Sequence, residues 1–345
     1  MTIVESRAVT GGVDTHLDVH VAAALDDVGG LLGTKEFPST PAGYVALVGW
    51  LEGFGPVTRV GVEGTGAYGA GLCRHLTEIG VVVIEVNAAN RQDRRRQGKS
   101  DPLDAVSAAR AAQSGRARAL PKGQDGPSEA LRTLLIAKRS ARRDRAATIN
   151  QLRSIVVSAP DDLRVRLLGL TPVALVAQSA ALRPRGGTVS HATRFTLREL
   201  GRRAQYFNGE IDRLDDVLVP LVTERAPELL ALFGVGPDTA AILLVAAGDH
   251  PERLRSEAAW AHLCGVAPIP ASSGKIIRRR LNPAGDRQAN HALWRIAFVR
   301  MRSDPRTQAY VVRRAAEGKS RLEILRCLKR YIAREVYPYL AVVDD

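Results

Sequence analysis

Between residues 8 and 37 apolar and polar positions alternate in three short runs, AVTGGVD, LDVHVAAAL and LLGTKEF, with Asp26-Asp27 and Gly29-Gly30 separating the last two. Period-two alternation broken by Asp and Gly predicts a meander of three antiparallel strands. The period then lengthens to that of a helix from Pro41 to Leu51. An apolar strand RVGVEG follows, then a helix opening near Gly66, a strand over Val81–Val86, and an alanine-rich helix headed by Asp101. Antiparallel strands followed by alternating helix and strand predict a three-layer α/β domain over residues 1–122. The turn-rich stretch Lys122-Gly123-Gln124-Asp125-Gly126-Pro127 closes it.

Beyond that boundary the pattern is helical. Residues 128–157 read as one long helix, with Leu131, Leu135, Ile149, Leu152 and Val156 near one face and Lys138, Arg139, Arg142, Arg143 and Arg145 grouped mid-helix. A second long helix runs from Arg194 to Glu224. Residues 128–225 are therefore expected to form a helical hairpin or short coiled coil suited to self-association, its basic face either solvated or touching phosphates. Residues 226–345 form a third, mainly helical region. In it Gly234-Val235-Gly236 separates two short apolar helices, as in a helix-hairpin-helix turn whose amides approach a DNA phosphate. A basic amphipathic helix from about Ser320 to Tyr337 ends the pattern.

Composition adds a partner. The 345 residues include 49 Lys+Arg against 36 Asp+Glu, a formal net charge of +13, and 45% are hydrophobic. Most of the excess is arginine, whose planar fork suits bidentate contact with phosphate. A polyanion, with nucleic acid foremost, is the expected partner. No apolar run is long enough for a membrane span, and MTIVESRAVTGG has no signal-peptide core, so a cytoplasmic location is expected. Cys73, Cys264 and Cys327 lie far apart in apolar stretches and read as buried free thiols.

The stretch RQDRRRQGKSDPLDAVSAARAA, residues 91–112, carries the candidate chemistry. Asp101, Pro102 and Asp104 can be read as N-cap, N1 and N3 of a helix, satisfying orphan amides. Spacing alone favours that capping reading, but it does not exclude that they are also two metal ligands on one helical face. Asp14 in GGVDTH and Glu63 in VGVEGTGAY each end a predicted strand beside glycines, where α/β sheets place function. Four carboxylates from separate elements could hold Mg²⁺, with Mn²⁺ as a substitute, for phosphodiester chemistry. Arg94, Arg95, Arg96 and Lys99, then Arg142 and Arg143, Gly234 and Gly236, and Lys275, Arg278, Arg279 and Arg280 are the expected nucleic-acid contacts. A zinc site from His16, Asp18 and His20 has strand spacing but no evident fourth ligand.

The order strand Asp, strand Glu, then two helical Asp resembles the ribonuclease-H-like fold of the RuvC type. The whole chain resembles transposases of the IS-one-ten family. The matching residues are Gly12-Val13-Asp14; Glu63, Thr65-Gly66 and Tyr68; Lys99-Ser100-Asp101 with Asp104-Ala105; Gly234-Val235-Gly236; Cys264-Gly265-Val266-Ala267-Pro268; Ser273-Gly274-Lys275; and Gly285-Asp286. Many members carry a lysine soon after the first aspartate, where this chain has Thr15-His16-Leu17-Asp18. The resemblance implies catalytic Asp14, Glu63, Asp101 and Asp104 with a serine nucleophile, Ser273, in the C-terminal region. It also implies a covalent phosphoserine intermediate, an active site shared between subunits of a homodimer or homotetramer, and double-stranded DNA at element ends and target. An element-encoded guide RNA would select those sites. A RuvC-like nuclease using water, or a non-catalytic nucleic-acid-binding protein, are the alternatives left by the residues alone.

Overall fold

The computed structural model describes residues 8–86, 100–117, 119–121, 126–249, 254, 256–272 and 279–340. The chain divides into two compact units, Met1–Gly126 with Gly248–Arg255, and Pro127–Ala247 with Ser256–Asp345.

The first unit is built on a mixed five-stranded sheet. Strands β1 (Val9–Thr15), β2 (Val19–Leu25) and β3 (Leu31–Pro38) form the expected meander, followed by α1 (Pro41–Glu52), β4 (Val57–Glu63), α2 (Ala70–Glu78), β5 (Val82–Val86) and α3 (Asp101–Gln113). The strand order is β3-β2-β1-β4-β5, antiparallel across β1–β2–β3 and parallel across β1–β4–β5. β1 is therefore central, and buried along its whole length. Alternation sends Val9, Val13, Val60, Val62 and Val83 to one face, where they pack with Leu47, Leu51, Leu72 and Leu76 of α1 and α2. The opposite face carries Val21, Ala23 and Leu25 against Ala105, Val106 and Ala109 of α3.

Two local expectations shift. Helix α2 begins at Ala70 rather than near Gly66, because the chain first turns on the Gly64 carbonyl, which accepts from Ala67 and Gly69 amides. The N-cap of α3 is Ser100, one residue before Asp101. Pro102 tolerates that frame because first-turn amides have no intrahelical acceptor.

Among the described residues the second unit is helical apart from one short antiparallel strand pair. Its helices are α4 (Pro127–Val157), α5 (Asp161–Leu167), α6 (Pro172–Ala180), α7 (Thr188–Arg225), α8 (Pro227–Ala231), α9 (Pro237–Ala247), α10 (Glu257–Leu263), α11 (Arg287–Ser303), α12 (Pro305–Ala316) and α13 (Arg321–Val336). Arg145 meets Asn208, and Lys138 meets Asp215, so α4 and α7 run antiparallel. Leu152, Leu163, Leu175, Leu197 and Ala204 form the core where α4, α5, α6 and α7 converge. Lys138, grouped by the sequence with the solvated basic face, is instead buried. It bonds Asp215 and, at 2.6 Å, Asp238, and Arg142 reaches Asp238 at 2.7 Å. A buried cation held by two carboxylates avoids the penalty of an unpaired charge. Cys73 and Cys264 are buried and Cys327 half-buried, all as free thiols. Among the described residues no helix is long and apolar enough to cross a membrane.

Candidate metal centre and nucleic-acid contacts

The site grows from a repeated tripeptide. Gly12-Val13-Asp14 lies one residue from the end of β1 and Gly61-Val62-Glu63 ends β4, and the parallel register sets Gly12 beside Gly61 and Val13 beside Val62. One step further, Asp14 and Glu63 stand side by side at the strands' carboxyl ends, on the face that α3 covers. The valines face the opposite core. The Thr15 hydroxyl donates to the Glu63 carbonyl at 2.7 Å and ties the two strand ends together.

Glycine is needed beneath α3. A Cβ on Gly12 would lie 2.2 Å from both the Ala105 carbonyl oxygen and the Ala109 nitrogen, and one on Gly61 would lie 2.4 Å from the Ala108 carbonyl oxygen. With alanines facing glycines, the helix sits directly on the strand backbones. That seat brings its acidic first turn over the strand ends: Asp104 is buried and Asp101 half-exposed.

His16, two residues beyond Asp14 and so on the same side, completes the group. Its Nε2 lies 3.2 Å from Asp14 Oδ2 and 3.4 Å from Asp101 Oδ2. One donor atom from each of Asp14, His16 and Asp101 fits within 4.8 Å of the others, a set able to hold a metal ion. Burial pushes the Asp14 carboxyl above the usual carboxylate range. The His16 imidazole pulls it back, and the charges of Asp104 and Asp101 push it further up. Three acids crowded together, two of them buried, favour a cation. The residues present thus fit a divalent ion.

His16 is the site residue that sequence reasoning assigned elsewhere. The His16–Asp18–His20 zinc set does not assemble. His20 lies on the opposite face of the sheet, stacked on Tyr44 at 5.7 Å with its Nε2 3.3 Å from the Ser39 hydroxyl, and Asp18 is exposed. Burial holds the His20 imidazole below the usual histidine range, as in a core histidine. The available signal for His16 was its alternation with Asp14, read together with the small residues that seat α3.

The expected nucleic-acid contacts divide. Arg142 is engaged by Asp238, so its charge is already met inside the helical unit. Arg143 is exposed, against Asp144 at 3.2 Å. Gly234 has φ +80°, a conformation that favours glycine, and Gly236 precedes α9 as expected, but its amide donates to Thr239 Oγ1 at 3.0 Å. Arg279 and Arg280 are exposed on β7 (Arg279–Arg280), which pairs antiparallel with β6 (Ile269–Pro270). Ser272 is exposed in the segment joining those strands. Ser273, Lys275 and Arg278 of that segment, and Arg94, Arg95, Arg96 and Lys99, lie outside the described residues.

The chain's likeness to known proteins covers both units. A model of the DEDD transposases of IS110 type matches residues 11–159, and the transposase model of the IS116/IS110/IS902 family matches residues 226–312. The "Insertion element IS110 uncharacterized 43.6 kDa protein" of Streptomyces coelicolor is 38% identical over 106 residues, 30% of this chain and 26% of the relative. The "Insertion element IS900 uncharacterized 42 kDa protein" of Mycobacterium paratuberculosis is 31% identical over 107 residues, 31% of this chain and 27% of the relative. These alignments thus span about a quarter of each relative. With a strand Asp, a strand Glu and two helical Asp inside the first match and the Gly234-Val235-Gly236 turn inside the second, the chain belongs to the IS110 family of transposases.

Proposed function

We propose that the protein is a DNA transposase that cuts and rejoins strands at the ends of an insertion element by metal-dependent phosphoryl transfer. The observation that carries this reading is the in-register pair Gly-Val-Asp14 and Gly-Val-Glu63 beneath the acidic head of α3. The strand order β3-β2-β1-β4-β5 supports assigning the first unit to the ribonuclease-H-like, RuvC-type fold. In our reading Asp14, Glu63, Asp101 and Asp104 hold Mg²⁺ or Mn²⁺. A bound divalent ion supplies Lewis-acid stabilisation of phosphoryl oxygens.

The remaining steps fall to the chain's own groups. Ser273 is the nucleophile: its Oγ forms a bond to phosphorus as a phosphodiester P–O bond breaks, releasing a deoxyribose hydroxyl. Lys275 and Arg278, Arg279 and Arg280 balance the developing negative charge. A hydroxyl of a second strand then attacks the phosphoserine, regenerating Ser273 and conserving the number of phosphodiester bonds. No nucleotide hydrolysis is needed. By family resemblance the acids of one subunit serve the serine of another in a homodimer or homotetramer, and an element-encoded RNA pairs with donor and target DNA in the cytoplasm. Sequence choice by base pairing suits a protein whose basic residues grip backbones.

The test is a trapping assay with labelled junction DNA, the element's flanking RNA and Mg²⁺, resolved on a denaturing gel. A protein-linked DNA band that vanishes in Ser273→Ala and in Asp14→Ala supports the reading. Cleavage that persists in Ser273→Ala without an adduct refutes the serine step and leaves a nuclease using water.

A further inference from the structure

His16 carries a geometry that an ion pair does not explain. Its Nε2 is closed off from solvent, yet it makes no well-formed hydrogen bond, although carboxylate oxygens of Asp14 and Asp101 lie at 3.2 and 3.4 Å. A histidine present to donate a proton would aim Nε2–H at one oxygen, since hydrogen bonds weaken steeply off axis. Here both oxygens lie close to the nitrogen and neither is engaged in a well-formed hydrogen bond.

The two distances have a natural meaning in coordination chemistry. Metal–donor bonds of about 2.0–2.2 Å put neighbouring donors about 3.0 Å apart in an octahedron and about 3.4 Å apart in a tetrahedron. The His16–Asp14 and His16–Asp101 separations, 3.2 and 3.4 Å, lie within that span. A neutral imidazole carrying its proton on Nδ1 directs the Nε2 lone pair into the space the two carboxylates share.

We infer that His16 is a nitrogen ligand of the ion held by Asp14 and Asp101, giving a mixed nitrogen–oxygen site that favours a first-row transition ion such as Mn²⁺ over Mg²⁺. This rests on the metal reading above and deepens it. Mg²⁺ is a hard ion that takes oxygen and gains little from imidazole. A first-row ion gains from the nitrogen, so replacing His16 alters the preference as well as the affinity.

The experiment uses the full-length protein with Mn²⁺ alone as probe. Pulsed electron paramagnetic resonance of the Mn²⁺-loaded protein is expected to show nitrogen modulation that changes frequency when histidine is labelled with ¹⁵N and disappears in His16→Gln. In parallel, His16→Gln is expected to weaken Mn²⁺ binding at least ~10-fold while weakening Mg²⁺ binding less, so that the Mn²⁺/Mg²⁺ preference falls. Circular dichroism checks that the variant folds. Mn²⁺ bound in the parent without nitrogen modulation, yet lost in Asp14→Asn, overturns the role of His16 and leaves the acidic site standing. Failure of the parent to bind Mn²⁺ at millimolar concentration overturns both.

Discussion

Replacing Gly12 by alanine tests how the site is assembled. The added methyl would stand 2.2 Å from the Ala105 carbonyl oxygen, 2.2 Å from the Ala109 nitrogen and 2.6 Å from the Ala109 Cβ, where ordinary contact begins at 3.4 Å. The closest neighbours are helix backbone, so no change of rotamer relieves the clash and α3 must lift by about 1 Å. Overpacking of this kind costs about 1–3 kcal/mol, offset by roughly 0.4–1 kcal/mol because alanine restricts the unfolded chain. At mid-range values the net loss is about 1.3 kcal/mol, a fall of roughly 4–8 °C in the melting transition of the first unit. Function should suffer more, since a displacement of about 1 Å of Asp101 and Asp104 costs on the order of 100-fold in rate. Scanning calorimetry and single-turnover cleavage of junction DNA measure the two effects. Gly49→Ala is the control: it lies within α1 with nothing within 4 Å of its added methyl, and should gain about 0.5–1 kcal/mol with unchanged cleavage. A Gly12→Ala protein that melts within about 1 °C of the parent and cleaves at half its rate or better would refute the seating of α3 on β1.

Other consequences follow from burial and charge. Asp238 is pushed up by burial but held below the ordinary carboxylate range by hydrogen bonds from Lys138 and Arg142. Its contribution to stability is therefore complete above the unfolded pKa of about 3.9 and is lost as pH falls through the lower folded value. Urea titrations of the helical unit from pH 7 downward should show that loss, and Asp238→Asn should flatten it. Asp14 has the opposite sign: its folded pKa is raised, so its charge destabilises the metal-free protein at neutral pH. Asp14→Asn should raise the melting temperature of metal-free protein at pH 7 while abolishing cleavage, and an unchanged or lower melting temperature counts against the crowding. Burial pushes the Cys73 thiol up to about 12 and raises Cys264 further. Alkylation at pH 8 should therefore modify Cys327 first, about one thiol per native chain and all three in denaturant, as read by mass spectrometry.

The strands and the helix head could be read from the sequence because one face of each is buried, which imprints a period of two or 3.6 on the chain. Asp14 and Glu63 stood out for the same reason, as acids interrupting apolar alternation at strand ends. The seat of α3 left no such mark, since glycine and alanine are nearly silent in a hydrophobic pattern. With the seat unseen, His16 could not be matched to Asp101, which lies on a different element. Lys138 was misread for a related reason. Its partners Asp215 and Asp238 are 77 and 100 residues away in sequence, and a periodicity scan counts any lysine as solvent-facing. The glycine-rich run 64–69 delayed α2 because its turn uses the Gly64 carbonyl before a helix can start.

The two faces of the central sheet are unequal. Among the described residues one is packed by leucines and valines of α1 and α2, the other by α3, which presents mostly alanine. Apolar area sets how strongly an element is held, so α3 is fastened more weakly than the sheet beneath it. Such elements open locally at a fraction of the global unfolding free energy, and their amides exchange hydrogen first. The strand acids sit on the central strands and the helical acids on the element packed over them. A ligand that draws Asp101 and Asp104 towards Asp14 would therefore add to the hold on α3, and slower amide exchange in α3 on metal binding is the expected sign of it.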